Sequence, residues 1–389
     1  MSDGNQRYIV FGQPHFSDAE IDEVVDSLRS GWVGTGPKVA RFEEAFASYL
    51  GARHAVAVNS CTAGLHLAML VAGVGPGDEV ITTTMTFVST VNAILHAGAT
   101  PVLVDCDPET GLILPEQAAD AVTPRTRAIV PVHLYGRPCP MDAINEIAQR
   151  HGLIVIEDAA HAAEAVYHGR KIGTIGDLTC FSFYATKNLT TGEGGMITTA
   201  RTDLASRLKV FALHGLSRDA WSRFSDNGYL QYQTVDLGFK YNMMDLQAGL
   251  GLHQIPLLPE RLRRREEIWR SYDEAFAGLP VVTPPPPEPD TVHARHLYTL
   301  LVDPETSGVD RDAFMRRLHA AGIGTGIHYL AVHLHQYYRE RFGYRPQDYP
   351  NARWLSERTV SIPLSPHLTD EETTRIQNAV AAALEERVE

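Results

Sequence analysis

The chemistry that this sequence offers begins with one lysine. Lys187 follows a stretch rich in aromatic, small and hydroxyl residues (182–186), and three glycines lie within the eight residues after it. A lysine in an enclosed site can lose its proton and attack a carbonyl carbon. An isolated lysine is more often a solvated surface residue, so Lys187 alone favours that second interpretation.

A carboxylate changes this balance. Asp158 comes at the end of the apolar run 153–157, which is typical of a buried strand. Burying a carboxylate is costly unless a cation accompanies it, and the protonated ring nitrogen of pyridoxal 5'-phosphate (PLP) is one such cation. With an aspartate beside it, the ring can accept electrons when a proton leaves the amino-bearing carbon. The alternative is a structural ion pair or a cap on the turn at 159–161.

Hydroxyl groups at a helix start supply a third element. Ser60, Cys61 and Thr62 stand between a strand candidate and a helix candidate, and Ser182 adds another hydroxyl. Free backbone N–H groups and hydroxyls at such a place form an anion site, although plain N-capping by Ser60 or Thr62 is the commoner use. Phe87 follows a threonine-rich run and suits stacking on a pyridine ring, although an aromatic there is more often part of the core.

These residues lie where short β-branched runs alternate with helical stretches. Strands that are apolar on successive residues are buried on both faces. Strand–helix alternation indicates an α/β fold with a mainly parallel sheet, whose ligands sit beyond the carboxyl ends of the strands, where Asp105 and Asp158 fall. The predicted strands are 54–58, 79–83, 101–105, 128–132, 153–157, 178–183 and 195–199, and the helices between them are 62–71, 88–97, 115–121 and 141–151.

The later part of the chain has a different character. The proline-rich residues 283–289 exclude a helix or a central strand and indicate a surface connection. We therefore expect a large domain over 1–255 and a small C-terminal α+β domain over 256–389. The predicted elements are a helix at 203–214, a long loop at 217–233, a helix at 261–279, a strand at 297–302 and helices at 311–321 and 370–386.

Composition indicates an ordinary globular chain. Of 389 residues, 44% are hydrophobic and 21% charged, and a formal net charge of −13 makes nucleic acid an unfavourable partner. The four cysteines form no C-x-x-C pair, the N-terminus has no signal-peptide pattern, and no apolar run approaches the roughly 20 residues that span a bilayer. We expect a cytoplasmic protein that does not contact a membrane.

Two other kinds of site find little support. His328, His333 and His335 match no strong zinc spacing, so we expect loop or substrate-facing histidines and no metal. The glycines between residues 31 and 36 do not form G-x-G-x-x-G after a strand, which argues against a dinucleotide fold.

Several separated motifs, taken in order and spacing, resemble the DegT/DnrJ/EryC1/StrS sugar aminotransferases, a branch of the fold-type I PLP enzymes. The resemblance covers nearly the whole chain. The motifs are 30–37 (SGWVGTGP), 157–161 (EDAAH), the Lys187 segment, 237–245 (LGFKYNMMD) and 322–329 (GIGTGIHY).

The resemblance implies a role for each candidate residue. Lys187 is the Schiff-base lysine and proton carrier, Asp158 pairs with the ring nitrogen, and Phe87 stacks on the ring. His161 lies beside the ring, and the family is homodimeric, so that Lys240 of the second subunit completes each site. The cofactor phosphate is held by Cys61, Thr62 and Ser182, and the candidates for substrate contact are Thr35, His328, Tyr329 and the loop at 217–233.

Some motifs depart from the common family pattern. The usual loop Gly-Tyr-Asn-Tyr-Arg reads Gly-Phe-Lys-Tyr-Asn at 238–242, and the usual Gly-Thr of the phosphate loop is Cys61-Thr62. With 214–216 (HGL) and 324–326 (GTG), this variant looks like the subgroup that aminates C4 of a UDP-4-keto-pentose or of 4-keto-6-deoxyhexoses. Family members that dehydrate sugars carry histidine at the lysine position, so Lys187 favours transamination.

The resemblance implies a ping-pong transamination. L-Glutamate gives its amino group to the cofactor and leaves as 2-oxoglutarate, and the amine then passes to C4 of a UDP- or dTDP-linked 4-keto sugar. The product is a 4-amino-4-deoxy or 4-amino-4,6-dideoxy sugar. The alternatives are amination at C3 of a 3-keto sugar, a non-catalytic PLP or nucleotide-sugar sensor, and a nicotinamide oxidoreductase that the missing glycine fingerprint opposes.

Overall fold

The computed structural model describes residues 7–217 and 233–385. The long loop predicted over 217–233 therefore lies outside the described residues except for its two ends. The same is true of residue 386, the predicted end of the last helix.

A seven-stranded sheet forms the centre of the molecule, with the order β1-β9-β8-β5-β4-β2-β3. Only β9 of this sheet runs antiparallel to its neighbours β1 and β8, so the prediction of a mainly parallel sheet is confirmed. All seven strands of this sheet were predicted, with ends shifted by no more than two residues. The strands are β1 (His54–Val58), β2 (Glu79–Thr83), β3 (Thr100–Val104), β4 (Thr126–Val130), β5 (Ile154–Asp158), β6 (Val166–Tyr167), β7 (Arg170–Lys171), β8 (Leu178–Ser182), β9 (Gly195–Thr199), β10 (Thr291–Val292), β11 (Tyr298–Leu301) and β12 (Thr359–Ile362).

Helices cover the sheet and build the C-terminal part. In chain order they are α1 (Asp18–Ser30), α2 (Pro37–Leu50), α3 (Cys61–Val71), α4 (Val88–His96), α5 (Pro115–Asp120), α6 (Met141–His151), α7 (Thr202–Ala212), α8 (Asp245–Leu252), α9 (Leu258–Phe276), α10 (Pro304–Ser307), α11 (Arg311–Ala320), α12 (Gln336–Phe342), α13 (Pro350–Arg358) and α14 (Asp370–Glu385). Short 3-10 turns occur at Leu134–Gly136, Ile255–Leu257, Val332–Leu334 and Pro346–Asp348. Among the described residues, no helix is both long and apolar enough to cross a membrane.

Two N-terminal helices were not predicted, although their ends carry sequence signals. Ser17 and Glu20 form a capping box at the start of α1, and Gly31 ends that helix in the left-handed conformation. Pro37 stands in the first turn of α2, where a missing N–H costs nothing. The helix predicted from residue 261 begins earlier, at Leu258, because Pro259 is accommodated in its first turn in the same way.

Apolar side chains form several core clusters, one of which joins residues of β2–β5 to residues 331–355. One cluster packs α3 and α7 against the central sheet. Another packs α9, α11 and α14 against the antiparallel pair β11 and β12, with Trp269, Tyr272 and Phe314 at its centre. The proline-rich residues 283–289 form neither helix nor strand, as expected. The division into domains at residue 256 stays a prediction.

Candidate active site

A cavity of about 400 Å³ lies where the parallel strands of the central sheet end. Residues that directly follow β1, β2, β4 and β8 line it, together with the last residue of β5. This is the position expected for the ligand of an α/β sheet. Nine of the predicted site residues line this one cavity: Cys61, Thr62, Phe87, Asp158, His161, Ser182, Lys187, His328 and Tyr329.

Asp158 is buried in the wall of the cavity at the end of β5. Its Oδ2 accepts a hydrogen bond of 2.7 Å from the Thr90 hydroxyl, and its Oδ1 accepts one of 3.1 Å from the Ala160 N–H. The turn cap considered from the sequence is therefore present, but it occupies only one carboxylate oxygen. Burial raises the pKa of Asp158, and the two hydrogen bonds and Lys187 only partly offset this. A further cation beside the carboxylate would compensate for its burial.

Thr90 is a site residue that the sequence analysis missed. It lies in the first turn of α4, and its hydroxyl also lies 2.8 Å from that of Thr86. Because both hydroxyls are buried, they hold the Asp158 carboxylate in one orientation. The only sequence signal was the spacing of four residues between the two threonines, which lie on either side of Phe87, the N-cap of α4.

Lys187 lies after β8 and shares the cavity with Asp158. Burial lowers its pKa to about 8, although the Cys61 thiol and Asp158 act in the opposite direction. A substantial fraction of the amine is therefore neutral near physiological pH, which is what a nucleophilic lysine requires. The next residue, Asn188, fixes the segment by donating to Glu164 at 2.8 Å and to the Ala294 carbonyl at 2.9 Å.

The start of α3 borders the same cavity. The Ser60 side chain caps the helix by accepting from the Ala63 N–H at 3.1 Å, so the capping interpretation holds for this residue. The hydroxyls of Thr62 and Ser182 also line the cavity. Gly195, at the start of β9, packs against the residues that begin α3. A Cβ at this position would come within 2.7 Å of the Cys61 nitrogen, so position 195 requires glycine.

His161 connects two other residues of the site. Its Nδ1 accepts a hydrogen bond of 3.1 Å from the Tyr135 N–H, and its Nε2 lies 3.0 Å from the Tyr329 hydroxyl. Burial, together with Lys187 and neighbouring histidines, holds the pKa of His161 well below its ordinary value. The ring is therefore neutral, with its hydrogen on Nε2, because Nδ1 is an acceptor. It donates to Tyr329, and the Tyr329 hydroxyl remains able to donate in turn.

Phe87 and His328 border the opening of the cavity. Phe87 is 53% exposed, and its ring lies 5.6 Å from that of Tyr329, so it is available for stacking and is not a core residue. His328 places its Nδ1 2.7 Å from the Ser361 hydroxyl. Burial and the nearby Lys187 lower the pKa of His328 to about 4, so this imidazole is neutral.

Two predicted site residues do not line the cavity of their own chain. The Thr35 hydroxyl accepts from the Asn242 side chain at 2.6 Å, beside the start of α8. The backbone of Lys240 pairs with Leu213 and accepts from Asn59, close to the end of β1. Their roles toward substrate and toward a second subunit stay predictions.

Asp105 also follows a strand but belongs to no site. Its carboxylate accepts from the backbone N–H groups of Asn351 and Ala352, both at 2.9 Å, and thus caps α13. Of the two other histidines considered for a metal, His333 is buried against Thr84 and His335 is half-buried. Among the described residues, no group of three or more potential ligands could hold a metal ion.

The lining of the cavity fits PLP at each end. Asp158 is a buried carboxylate whose burial no nearby cation fully compensates, and a protonated ring nitrogen would do so. The hydroxyls of Ser60 and Thr62 at the N-terminus of α3, together with that of Ser182 at the end of β8, suit a phosphate group. Between these ends lies the amine of Lys187, with a lowered pKa. This combination defines a PLP-dependent enzyme with an α/β fold.

Comparisons with known proteins agree with this class. The profile of the DegT/DnrJ/EryC1/StrS aminotransferase family matches residues 14–381. The spore coat polysaccharide biosynthesis protein SpsC of Bacillus subtilis (strain 168) is 50% identical over 374 residues, which is 96% of each chain. The PLP-form of Spr1654 from Streptococcus pneumoniae, assigned as a sugar aminotransferase, is 33% identical with a TM-score of 0.91, over 98% of this chain and 100% of that one. PseC from Helicobacter pylori, an aminotransferase involved in the biosynthesis of pseudoaminic acid, is 26% identical with a TM-score of 0.89, over 97% and 100%.

The chain therefore belongs to the DegT/DnrJ/EryC1/StrS aminotransferase family, as its motifs indicated. It is an aminotransferase enzyme that uses PLP. This membership contradicts the interpretations as a nicotinamide oxidoreductase and as a non-catalytic sensor.

Proposed function

We propose that this enzyme transfers an amino group from L-glutamate to C4 of a UDP- or dTDP-linked 4-keto sugar. The observation that carries the proposal is the single cavity in which the Lys187 amine and the Asp158 carboxylate occur with hydroxyls at a helix N-terminus. Support for a sugar substrate comes from the solved relatives, which include the sugar aminotransferase CalS13 of Micromonospora echinospora at 32% identity and a TM-score of 0.85. C4 is favoured by the 238–242 and 324–326 motifs.

Some residues of the cavity would hold the cofactor, and Lys187 would transfer a proton. Bound PLP supplies an electron-accepting ring that stabilises negative charge on the carbon from which a proton leaves. Asp158 keeps that acceptor cationic, and Thr90 orients the carboxylate through its hydrogen bond of 2.7 Å. Lys187 moves the proton, because an amine with a pKa of about 8 both accepts and releases protons near neutral pH.

His161 and Tyr329 orient the cofactor or the sugar through one hydrogen-bond donor. Since His161 donates to the Tyr329 oxygen, the Tyr329 hydroxyl hydrogen can be donated to an oxygen of the cofactor or the sugar. Burial also raises the pKa of Tyr329 well above its ordinary value, so the hydroxyl keeps its proton. His328 and Phe87, at the opening, are the proposed contacts of the sugar and the cofactor ring.

We propose in addition that two copies of the chain complete each other's sites. Lys240 lies outside the cavity of its own chain but close to Asn59, which precedes the phosphate-binding loop. In the same segment, Leu237 is 83% exposed, which is unfavourable for a large apolar side chain unless another surface covers it. In a homodimer, Leu237 would be covered and Lys240 would supply a positive charge to the phosphate of the partner.

Substrate choice is tested with purified enzyme, L-glutamate and a panel of UDP- and dTDP-linked 4-keto and 3-keto sugars, with products identified by NMR. We expect an amine at C4 of a 4-keto sugar, with one molecule of 2-oxoglutarate formed for each amine. Lys187→Ala is the negative control. Amination at C3 alone, or amination of none of these sugars by an enzyme that has bound PLP, would contradict the proposed substrate.

A further inference from the structure

A second, smaller cavity of about 80 Å³ adjoins the first on another side of Lys187. Thr186, Lys187 and His328 line both cavities. The smaller one, which we term the side pocket, is enclosed by the N-terminal residues 11–15, by residues 364–367 and by α9. A ligand that reaches the Lys187 amine can therefore extend into the side pocket.

The side pocket is lined by cationic and neutral hydrogen-bond donors. Its lining includes Lys187, Arg261, Arg265 and the stacked imidazoles of His15 and His367, whose rings lie 4.4 Å apart. Among the described residues that line it, there is no aspartate or glutamate. Such an excess of donors is expected to attract an anion.

The two arginines differ in how fully their charge is compensated. Arg265 is fully buried and forms an ion pair with the buried carboxylate of Glu164. The Arg261 side chain is 13% exposed, and its nearest carboxylate oxygen, on Glu20, is 3.8 Å away. It donates a long hydrogen bond of 3.3 Å to the neutral amide of Gln254. Arg261 thus has N–H donors that the surrounding protein satisfies poorly.

Glu20 faces Arg261 with its Oε1, but at 3.8 Å the two groups form no hydrogen bond. Its Oε2 accepts from the Ser17 N–H at 2.8 Å in the capping box of α1. Its Oε1 is buried without a hydrogen-bond partner among the described residues. The guanidinium of Arg261 is consequently available to a carboxylate that enters from the Lys187 side, and a planar two-N–H contact is the geometry that arginine offers best.

We propose that the side pocket binds a carboxylate of the amino-acid donor, with Arg261 as its principal cation. The proposal rests on the proposed function, since it concerns the donor half of that reaction. A carboxylate is small enough for the pocket, and the amino acid would then present its amino group toward Lys187. The keto sugar has no carboxylate, so this pocket distinguishes the two substrates that share the site.

The test is a calorimetric titration of the PLP-loaded enzyme with glutarate, a dicarboxylate that has no amino group to react. The titration is repeated with glutaramide, its uncharged diamide. Removing a charged hydrogen-bond partner in Arg261→Gln should weaken glutarate binding by about 10-fold to 100-fold and leave glutaramide binding unchanged. Arg263→Gln is the matched control, because Arg263 lies on the same helix with an exposed side chain paired to Glu267.

A second variant tests the side pocket without changing Arg261, in case Arg261→Gln does not fold. Gln13 lines the side pocket and is exposed, so Gln13→Glu adds a negative charge with little change of shape and should also weaken glutarate binding. Equal glutarate affinity in wild type, Arg261→Gln and Gln13→Glu would overturn the inference. Amination of the sugar by enzyme preloaded with the amino form of the cofactor should persist in both variants. Its absence in wild type would instead contradict the proposed function.

Discussion

The Nε2 atom of His161 lies 3.0 Å from the phenolic oxygen of Tyr329. This contact joins the turn after β5 to the segment that precedes α12, and both residues are enclosed by the same cavity. Because His161 Nδ1 already accepts from the Tyr135 backbone, the hydrogen bond has one direction, from the imidazole to the phenol.

Tyr329→Phe should therefore leave a buried N–H without a partner. We expect the free energy of unfolding to fall by about 1–3 kcal/mol, measured by urea denaturation of the cofactor-free protein. Tyr337→Phe is the matched control, since Tyr337 is 52% exposed and its loss should change stability by no more than about 0.5 kcal/mol. Equal stability of the two variants would mean that the His161–Tyr329 hydrogen bond does not form.

The second prediction concerns the orientation of Asp158 by Thr90. Thr90→Val keeps the shape of the side chain but removes the donor to Oδ2, so we expect kcat to fall by about tenfold or more. Thr90→Ser keeps the hydroxyl and should retain most of the activity. Asp158→Asn should lower kcat further, by about 100-fold to 1,000-fold. A Thr90→Val enzyme as active as Thr90→Ser would show that the hydroxyl has no such role.

The pH dependence of cofactor capture follows from Lys187. Burial lowers its pKa to about 8 in the cofactor-free protein, so the reactive neutral amine predominates above pH 8 and is lost as pH falls below it. The rate at which PLP becomes covalently attached should rise with pH and level off above about 8. A rate that keeps rising toward pH 10, as for an ordinary lysine with a pKa of about 10.4, would contradict the burial of this amine.

The proposed sharing of each site between two subunits predicts complementation between two impaired variants. In a mixed dimer of Lys187→Ala and Lys240→Ala, one of the two sites regains both native lysines. We expect mixing under exchange conditions to restore a substantial part of the wild-type activity, while each variant alone remains impaired. Light scattering should report a dimer. A mixture no more active than the sum of its components would contradict the placement of Lys240 in the partner's site.

The sheet and the main site residues were accessible from the sequence because each leaves a local signal. Apolar β-branched runs marked all seven central strands, and the residues that follow those strands meet at one edge of a parallel sheet, which is why Lys187 and Asp158 share a cavity. The antiparallel direction of β9 left no such signal, since strand direction depends on the connection and not on composition.

Residues that support the site through other residues were harder to predict. Thr90 contacts Asp158, which lies 68 positions later in the chain, and Tyr135 contacts His161, which lies 26 positions later. Nothing in the local sequence of Thr90 or Tyr135 indicates those partners. Asp105 carries a site signal without a role in the site: it follows a strand as Asp158 does, but it caps α13. The side pocket was also not predicted, because it forms only when residues 11–15, α9 and residues 364–367 come together.

The role of Lys187 is tested most directly by locating the lysine to which the cofactor is covalently attached. The purified enzyme is reduced with borohydride, digested and examined by mass spectrometry, with Lys187→Ala treated in parallel. We expect one phosphopyridoxyl group on Lys187 in the wild type and none in the variant. A stable phosphopyridoxyl group on another lysine, or the same adduct in both proteins, would contradict this role of Lys187.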